Sequence, residues 1–290
     1  MPSTRDIRRR IKSVKNTAQI TKAMQMVAAA KMRKAQMAAL SGRPYATLMN
    51  EVLGELVGRG TEFNDPLMEK RPVKKRAIIV VSTDKGLCGA LNSNVAREAG
   101  KLDRNTTVYI TAGRKASQFV ARTKRDLVAE FTYKDNPTHA EARAIAKFAR
   151  DLYLKGEVDQ VDILYTHFIS TLNQKVEMIP YLPVTEVKAL STSSTDSGAK
   201  LTASATEFKF EPDIHEVFGA LLPHYLNFRV YQVLLEAKAS EHSSRMVAMK
   251  NATDNAKQLI KDLTLEYNKL RQANITKELL EITSAAMAMS

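Results

Sequence analysis

The sequence predicts an α/β protein: a Rossmann-like α/β domain inserted between two long terminal helices that pair as an antiparallel coiled coil. Three observations carry this prediction. Glycine and proline are absent from Ser3 to Ser41 and again from His224 to Ser290. An apolar stripe with helical spacing runs down both stretches. Between them, short β-branched runs alternate with helix-like segments, the order expected of a largely parallel sheet.

The terminal helices come first. Glycine and proline punctuate helices. At 1.5 Å per residue, the stretch from Ser3 to Ser41 allows a helix of roughly 58 Å and that from His224 to Ser290 one of roughly 100 Å. A typical helix has only about 11–12 residues. Helices this long cannot bury a face inside one small domain, and usually pair. Steps of four and three from Ile7 reach Ile11, Val14, Ala18, Thr21, Gln25, Ala28, Met32, Ala35 and Ala39, of which only Thr21 and Gln25 are polar. In the last stretch, steps of three and four from Met249 reach Ala252, Ala256, Leu259, Leu263, Glu266 and Leu270, broken only at Glu266. The many alanines let two helices approach closely.

The middle reads as strands and helices in turn. Ala77–Thr83 (AIIVVST) is a buried-type strand, Asp84–Ala90 (DKGLCGA) a turn, and Leu91–Leu102 a helix. Thr107–Ala112 and Leu127–Tyr133 are strands flanking a helix over Arg114–Thr123. A helix over Thr138–Lys155 follows Asn136-Pro137 and stops near Gly156, with strands at Val161–Ser170 and Lys175–Leu182 after it. Residues 189–206, rich in Ser, Thr and Ala, read as a surface loop. The expected divisions are a coiled-coil helix over 1–58, an α/β domain over 74–210 and a second coiled-coil helix over 211–290.

Composition limits function. The 290 residues are 44% hydrophobic and 26% charged, a globular balance. One cysteine, Cys88, excludes an internal disulfide and argues against a cysteine-built zinc site and against secretion. No run of 18 apolar residues occurs, so no bilayer-spanning helix is expected. The net charge of +13 is concentrated: residues 1–43 hold eleven Lys or Arg against the single acid Asp6. Such a stretch suits an acidic protein, nucleic acid or an anionic surface. It also resembles a mitochondrial transit peptide in composition, but it runs unbroken into the long helix, which argues against that reading.

Motifs for catalysis are few. No G-x-x-x-x-G-K-[ST] is present. The turn at Gly86–Gly89 follows a strand and precedes a helix, but its G-x-x-G spacing is not that of a dinucleotide fingerprint, and a tight βα turn explains it. Cys88 lies in that turn without a neighbouring base and reads as a small packing residue. The five histidines are scattered, which disfavours a metal site, and His242 reads as a solvated mid-helix side chain. A basic coiled coil that binds nucleic acid is the main alternative, opposed by the absence of any aromatic in residues 1–44. A nucleotide-using α/β enzyme is a third.

Four blocks together resemble the gamma subunit of F-type ATP synthases: Ile7–Ala39 (IRRRIKSVKNTAQITKAMQMVAAAKMRKAQMAA), Ser82–Val95 (STDKGLCGALNSNV), Glu241–Ala256 (EHSSRMVAMKNATDNA) and Tyr267–Ala286 (YNKLRQANITKELLEITSAA). They stand in the family's order and cover both ends of the chain. The likeness is weakest across 100–210. One departure is Ala285, where the family pattern has glycine; alanine favours the helix but adds a methyl where backbones would approach. With no transit peptide ahead of the first block, a bacterial protein is expected.

The resemblance implies a non-catalytic, single-copy rotor subunit without cofactor or metal. Its helices would stand as a shaft inside a ring of three alpha and three beta subunits. Its α/β domain would sit at the foot, near the epsilon subunit and the membrane c-subunit ring. The location implied is the cytoplasmic face of a bacterial inner membrane, peripheral and not inserted, with no nucleic-acid partner. By the same resemblance, Met24, Arg271 and Gln272 would contact catalytic subunits. Lys85, Gly86, Leu87, Cys88 and Gly89 would form a foot turn near epsilon and the ring. Ile7, Ile11, Val14, Leu259, Leu263 and Leu270 would form the shaft seam. The final segment Ile282–Ser290 has no charged side chain, so it could turn in an apolar sleeve without breaking ion pairs.

Overall fold

A computed structural model describes residues 3–58, 65–184, 211 and 213–289. The elements in order are α1 (Thr4–Ser41), α2 (Arg43–Gly58), β1 (Arg76–Val81), α3 (Leu91–Gly100), β2 (Thr107–Ala112), α4 (Arg114–Arg122), β3 (Asp126–Phe131), α5 (His139–Leu154), β4 (Gln160–Phe168), β5 (Gln174–Leu182) and α6 (Ile214–Met289). The chain divides into two compact units, one of Met1–Ala28 with Met246–Ser290 and the other of Ala29–Arg245. Both α1 and α6 contribute to each. The Ser/Thr-rich stretch 189–206 and the expected boundary at 210 lie outside the described residues.

The larger unit is built on a five-stranded sheet in the order β3-β2-β1-β4-β5. The three pairs among β3, β2, β1 and β4 are parallel, and β5 runs antiparallel to β4. The run AIIVV in β1 is continuous because both faces of the sheet are covered. Ile78 and Val80 point to one face, under α3 and α4, where they pack with Val95, Ala99, Ala116 and Val120. Ala77, Ile79 and Val81 point to the other, against α5 and the first part of α6, with Ile145, Ala149, Phe218 and Leu226. Thr138 caps α5, its side chain and that of Glu141 exchanging hydrogen bonds with each other's backbone amides. Gly113 opens α4 with φ 104°, and a Cβ there would lie 2.3 Å from the Ser82 carbonyl oxygen, so only glycine fits.

Two helices carry a glycine and a proline at or near their start. The last helix begins at Ile214, three residues after the start of the expected 211–290 division, and runs through Gly219 and Pro223. An interior proline costs about 3 kcal/mol. Phe218, Leu222, Tyr225 and Leu226 are buried around it, each contributing about 1.5–3 kcal/mol, so packing overrides the breaker. At the other end, α1 stops at Ser41, and α2 starts after Gly42 with Pro44 in its first turn, where a missing N–H is harmless.

In the smaller unit, α1 and α6 run antiparallel: Thr21 pairs with Thr253, and Arg8 donates to the hydroxyl of Tyr267. On α1, Ile7, Thr21 and Ala28 are buried and Ile11, Val14, Ala18 and Gln25 half-buried. From Met249 on, the buried or half-buried positions of α6 follow the stripe Met249, Thr253, Ala256, Ile260, Leu263, Tyr267 and Leu270, with Ala252 and Asn268 half-buried beside it. The steps are four then three, the reverse of the order expected. Leu259 is therefore not a seam residue; it is 39% exposed, with Ile260 facing the partner helix instead. The polar Glu266 in the expected stripe was a sign of that wrong phase, and Tyr267 replaces it.

Candidate functional site

Three features of the fold can carry function: the loop after β1, the polar face of α6 that meets it, and the exposed end of α6.

Strand β1 ends at Val81, and Ser82 and Thr83 continue buried into the loop. The Ser82 hydroxyl donates to the Gly113 carbonyl (3.1 Å) and accepts from the Ala116 amide (2.8 Å), locking the loop to the start of α4. Asn92 bridges Thr83 and the Cys88 sulfur, at 2.8 and 3.3 Å. The loop thus turns Lys85, Gly86 and Leu87 outward, with Leu87 60% exposed at φ 62°. Cys88 points inward and is 2% exposed. Burial pushes its thiol pKa up, the opposite of an activated nucleophile. Gly89 takes φ 60°, which closes the turn.

Parallel α/β folds bind ligands outside the carboxyl ends of the strands, where the strand order reverses. Here that point lies between β1 and β4, and α6 fills it. The Ser240 hydroxyl donates to the Thr166 carbonyl (2.9 Å), and Ser243 to that of Thr171 (2.7 Å). Arg245 donates to the Gly86 carbonyl (3.2 Å) while paired with Glu241 (2.8 Å). Lys238 meets Glu241 at 3.0 Å and Asp135 at 3.7 Å, and lies 4.5 Å from the centre of the Tyr133 ring. Lys238 and Glu241 are almost wholly buried. Asp135, hydrogen-bonded to Lys31 and facing Lys238, has its pKa lowered. Tyr133, buried beside the acids, has its pKa raised well above the usual phenol and donates to the Ser82 carbonyl (2.9 Å).

His242 is a correction to the sequence reading. It is 2% exposed rather than solvated, and its Nε2 has no hydrogen-bond partner. Burial lowers its pKa to about 4, so it is neutral at pH 7. His167 is the reverse case: its hydrogen bond to Glu236 (2.9 Å) raises its pKa. Sequence reasoning missed Lys238, Glu241, Arg245 and Asp135. A usable signal was present, since Lys238, Glu241 and Arg245 stand three and four apart among Ala and Ser.

In the helix pair, Met24 is half-buried, one turn beyond Thr21. Arg271 and Gln272 are exposed, as is every residue from 271 to 287. The Arg8–Tyr267 contact puts Arg271 level with the start of α1, so the end of α6 has no companion helix in its own unit. Met24 and Arg271 are roughly 30 Å apart along the pair. Leu279, Leu280, Ile282 and Met287 are 57–79% exposed there. Ile7 and Leu263 are buried, and Ile11, Val14 and Leu270 half-buried, in the seam. Lys85–Gly89 belong to the other unit.

Among the described residues no three His, Cys, Asp or Glu side chains group to hold a metal ion, and no helix is long and apolar enough to cross a membrane.

Comparison with known proteins gives one answer. The family model described as ATP synthase matches residues 3–289. The ATP synthase gamma chain of Methylacidiphilum infernorum is 46% identical over 294 residues, covering all of both chains. That of Opitutus terrae is 49% identical over 292 residues, covering 99% of each. Among solved structures, the Tetrahymena thermophila mitochondrial ATP synthase central stalk and c-ring contains a chain matching at TM-score 0.59 and 26% identity, over 80% of this chain and 99% of that one. A chain of the Euglena gracilis mitochondrial ATP synthase rotor matches at TM-score 0.68 and 21% identity, over 94% and 98%. The paired terminal helices, the inserted α/β unit and these full-length relatives agree: the chain belongs to the ATP synthase gamma chain family.

Proposed function

We propose that the chain is the central-stalk rotor subunit of a bacterial F-type ATP synthase, present in one copy and not itself catalytic. It would link proton-driven turning of the membrane c-subunit ring to ATP synthesis in a head of three alpha and three beta subunits, with epsilon at its foot. The observation that carries this reading is the 76-residue helix α6, paired with α1 along one part and unpartnered in its own unit along its last turns. Family membership over residues 3–289 supports it. The complex would sit peripherally, on the cytoplasmic face of the inner membrane.

The physics of that role follows from the residues. The seam between α1 and α6 supplies stiffness. The uncharged segment Ile282–Ser290 could turn inside an apolar sleeve with no ion pairs to break. Further along, the cations of α1 are exposed, and exposed pairs are worth about 0–1 kcal/mol each. Weak pairs suit a part that leaves one partner for the next. Inverting a 1:99 population in a catalytic subunit takes about 5.5 kcal/mol of differential binding. Many contacts must therefore share the coupling, with Met24, Arg271 and Gln272 as candidates. The equilibrium part of that coupling is reciprocal, which is compatible with ATP hydrolysis driving the reverse rotation. In the loop Lys85–Gly89, anchored by the buried Cys88, the exposed Lys85, Gly86 and Leu87 suit a protein partner at the foot.

The test is affinity purification of the complex through a tag on a head subunit. One copy of this chain per three-plus-three head is expected. Its absence from an otherwise intact head would defeat the reading.

A further inference from the structure

The switch-point crevice is filled by α6, but the helices that cover the opposite face of the sheet leave a cleft between them. A cleft of about 860 Å³ runs between α3 and α4. Arg97 of α3, Lys115 and Arg122 of α4, and Arg125 just beyond line it, and no carboxylate does. The volume falls in the roughly 300–1,000 Å³ range of small-molecule sites.

The four cations differ in their engagement. Arg125 is held in place, donating to the Tyr109 hydroxyl (2.7 Å) and the Leu102 carbonyl (3.0 Å). Lys115 reaches only the Gln118 side-chain amide, at 3.4 Å. Among the described residues, Arg97 and Arg122 have no ion pair or hydrogen bond. On the same unit Lys101 pairs with Glu98, Lys31 with Asp135, and Arg76 with Asp162. Like charges gathered round one concavity repel, and nothing in the cleft offsets them.

We infer that the α3–α4 cleft binds a phosphate-bearing anion. Three of the four cations are arginines, whose planar forks match phosphate oxygens two at a time. A phosphate can carry two charges, enough to engage Arg97 and Arg122 together. Phe119 supplies an apolar wall beside them. The phosphate could belong to a soluble ligand or to a lipid headgroup, and the chemistry of recognition is shared.

Two probes distinguish these sources, each applied to the full-length chain at about 150 mM salt, where exposed charges are screened beyond about 8 Å. Titration calorimetry with pyrophosphate reports a soluble ligand. Flotation with phosphatidylglycerol vesicles against phosphatidylcholine vesicles reports a headgroup. At least one probe should bind, and Arg97→Ala with Arg122→Ala should weaken it about tenfold or more. Both side chains are exposed, so the variant keeps its fold. Arg143→Ala with Lys147→Ala, exposed on α5 at the opposite face, should leave binding unchanged. Binding of neither probe, or equal losses in the two variants, would overturn the assignment. Neither arm depends on assembly with other subunits, so the result stands apart from the rotor reading.

Discussion

Thr21 and Thr253 meet hydroxyl to hydroxyl at 2.7 Å between α1 and α6, both buried in a mainly apolar seam. One hydroxyl donates to the other, and the second donates to a carbonyl of its own helix, that of Ala18 for Thr21 or of Met249 for Thr253. The pair fixes which turn of one helix faces which turn of the other, because any slip would strand two hydroxyls against methyl groups. Valine at either position keeps the shape and loses the contact. Thr21→Val and Thr253→Val should each cost about 1 kcal/mol, with a coupling of about 0.5–1.5 kcal/mol in the double-mutant cycle. Urea unfolding of the four proteins measures it, and strict additivity would remove the pair from the seam's specificity.

The ion cluster under the loop after β1 gives a larger effect. Lys238 and Glu241 are buried 3.0 Å apart. Removing one partner of a buried pair costs about 3–5 kcal/mol. Glu241 keeps Arg245 at 2.8 Å, which places Lys238→Met near the lower end. Replacing both Lys238 and Glu241 with methionine should recover most of the loss, since well-packed apolar residues often match a buried ion pair. A double variant no more stable than Lys238→Met would contradict this balance.

The two buried histidines set opposite pH limits. His242 is held neutral, its pKa lowered from 6.5 to about 4 by burial. Its contribution is complete above pH 6.5 and is lost as pH falls towards 4, by about 3 kcal/mol in all. His167 has a raised pKa because of Glu236. Its contribution is complete below pH 6.5 and is lost as pH rises through its folded-state pKa. Urea midpoints measured across pH should therefore fall on both sides. His242→Gln should flatten the acid limb alone and His167→Gln the alkaline limb alone. An acid limb unchanged in His242→Gln would reject the burial argument.

Much of this architecture is legible in the residues, and the failures have physical causes. The continuous β-branched run in AIIVV and the absence of Gly and Pro from Ser3 to Ser41 locate β1 and α1 to within a residue or two. Pro223 does not stop α6, because the cost of one proline is small beside the four buried side chains around it. His242 misleads because periodicity marks a half-buried helix, whereas residues 237–243 are buried on every side. There the charged groups are paired rather than solvated, which hydropathy alone cannot distinguish. Ala and Ser between Lys238 and Arg245 record the close approach instead. The cleft at Arg97 and Arg122 was invisible because it needs the parallel order of β1 and β2 to bring α3 beside α4.

The phase of the seam can be tested at two adjacent residues. Both Leu259 and Ile260 are apolar, and the alternation of three and four steps from Met249 selects the first. The fold selects the second: Leu259 is 39% exposed, while Ile260 shares its face with Ala256 and Leu263. Truncating an exposed side chain usually changes stability by less than about 0.5 kcal/mol. Truncating one packed against a partner helix costs about 2 kcal/mol or more, moderated here because Ile260 is only half-buried. Leu259→Ala should therefore be near neutral, and Ile260→Ala should cost about 1–2 kcal/mol in urea unfolding. If the costs were reversed, the four-then-three phase from Met249 to Leu270 would be wrong, and with it the facing of Tyr267 towards Arg8.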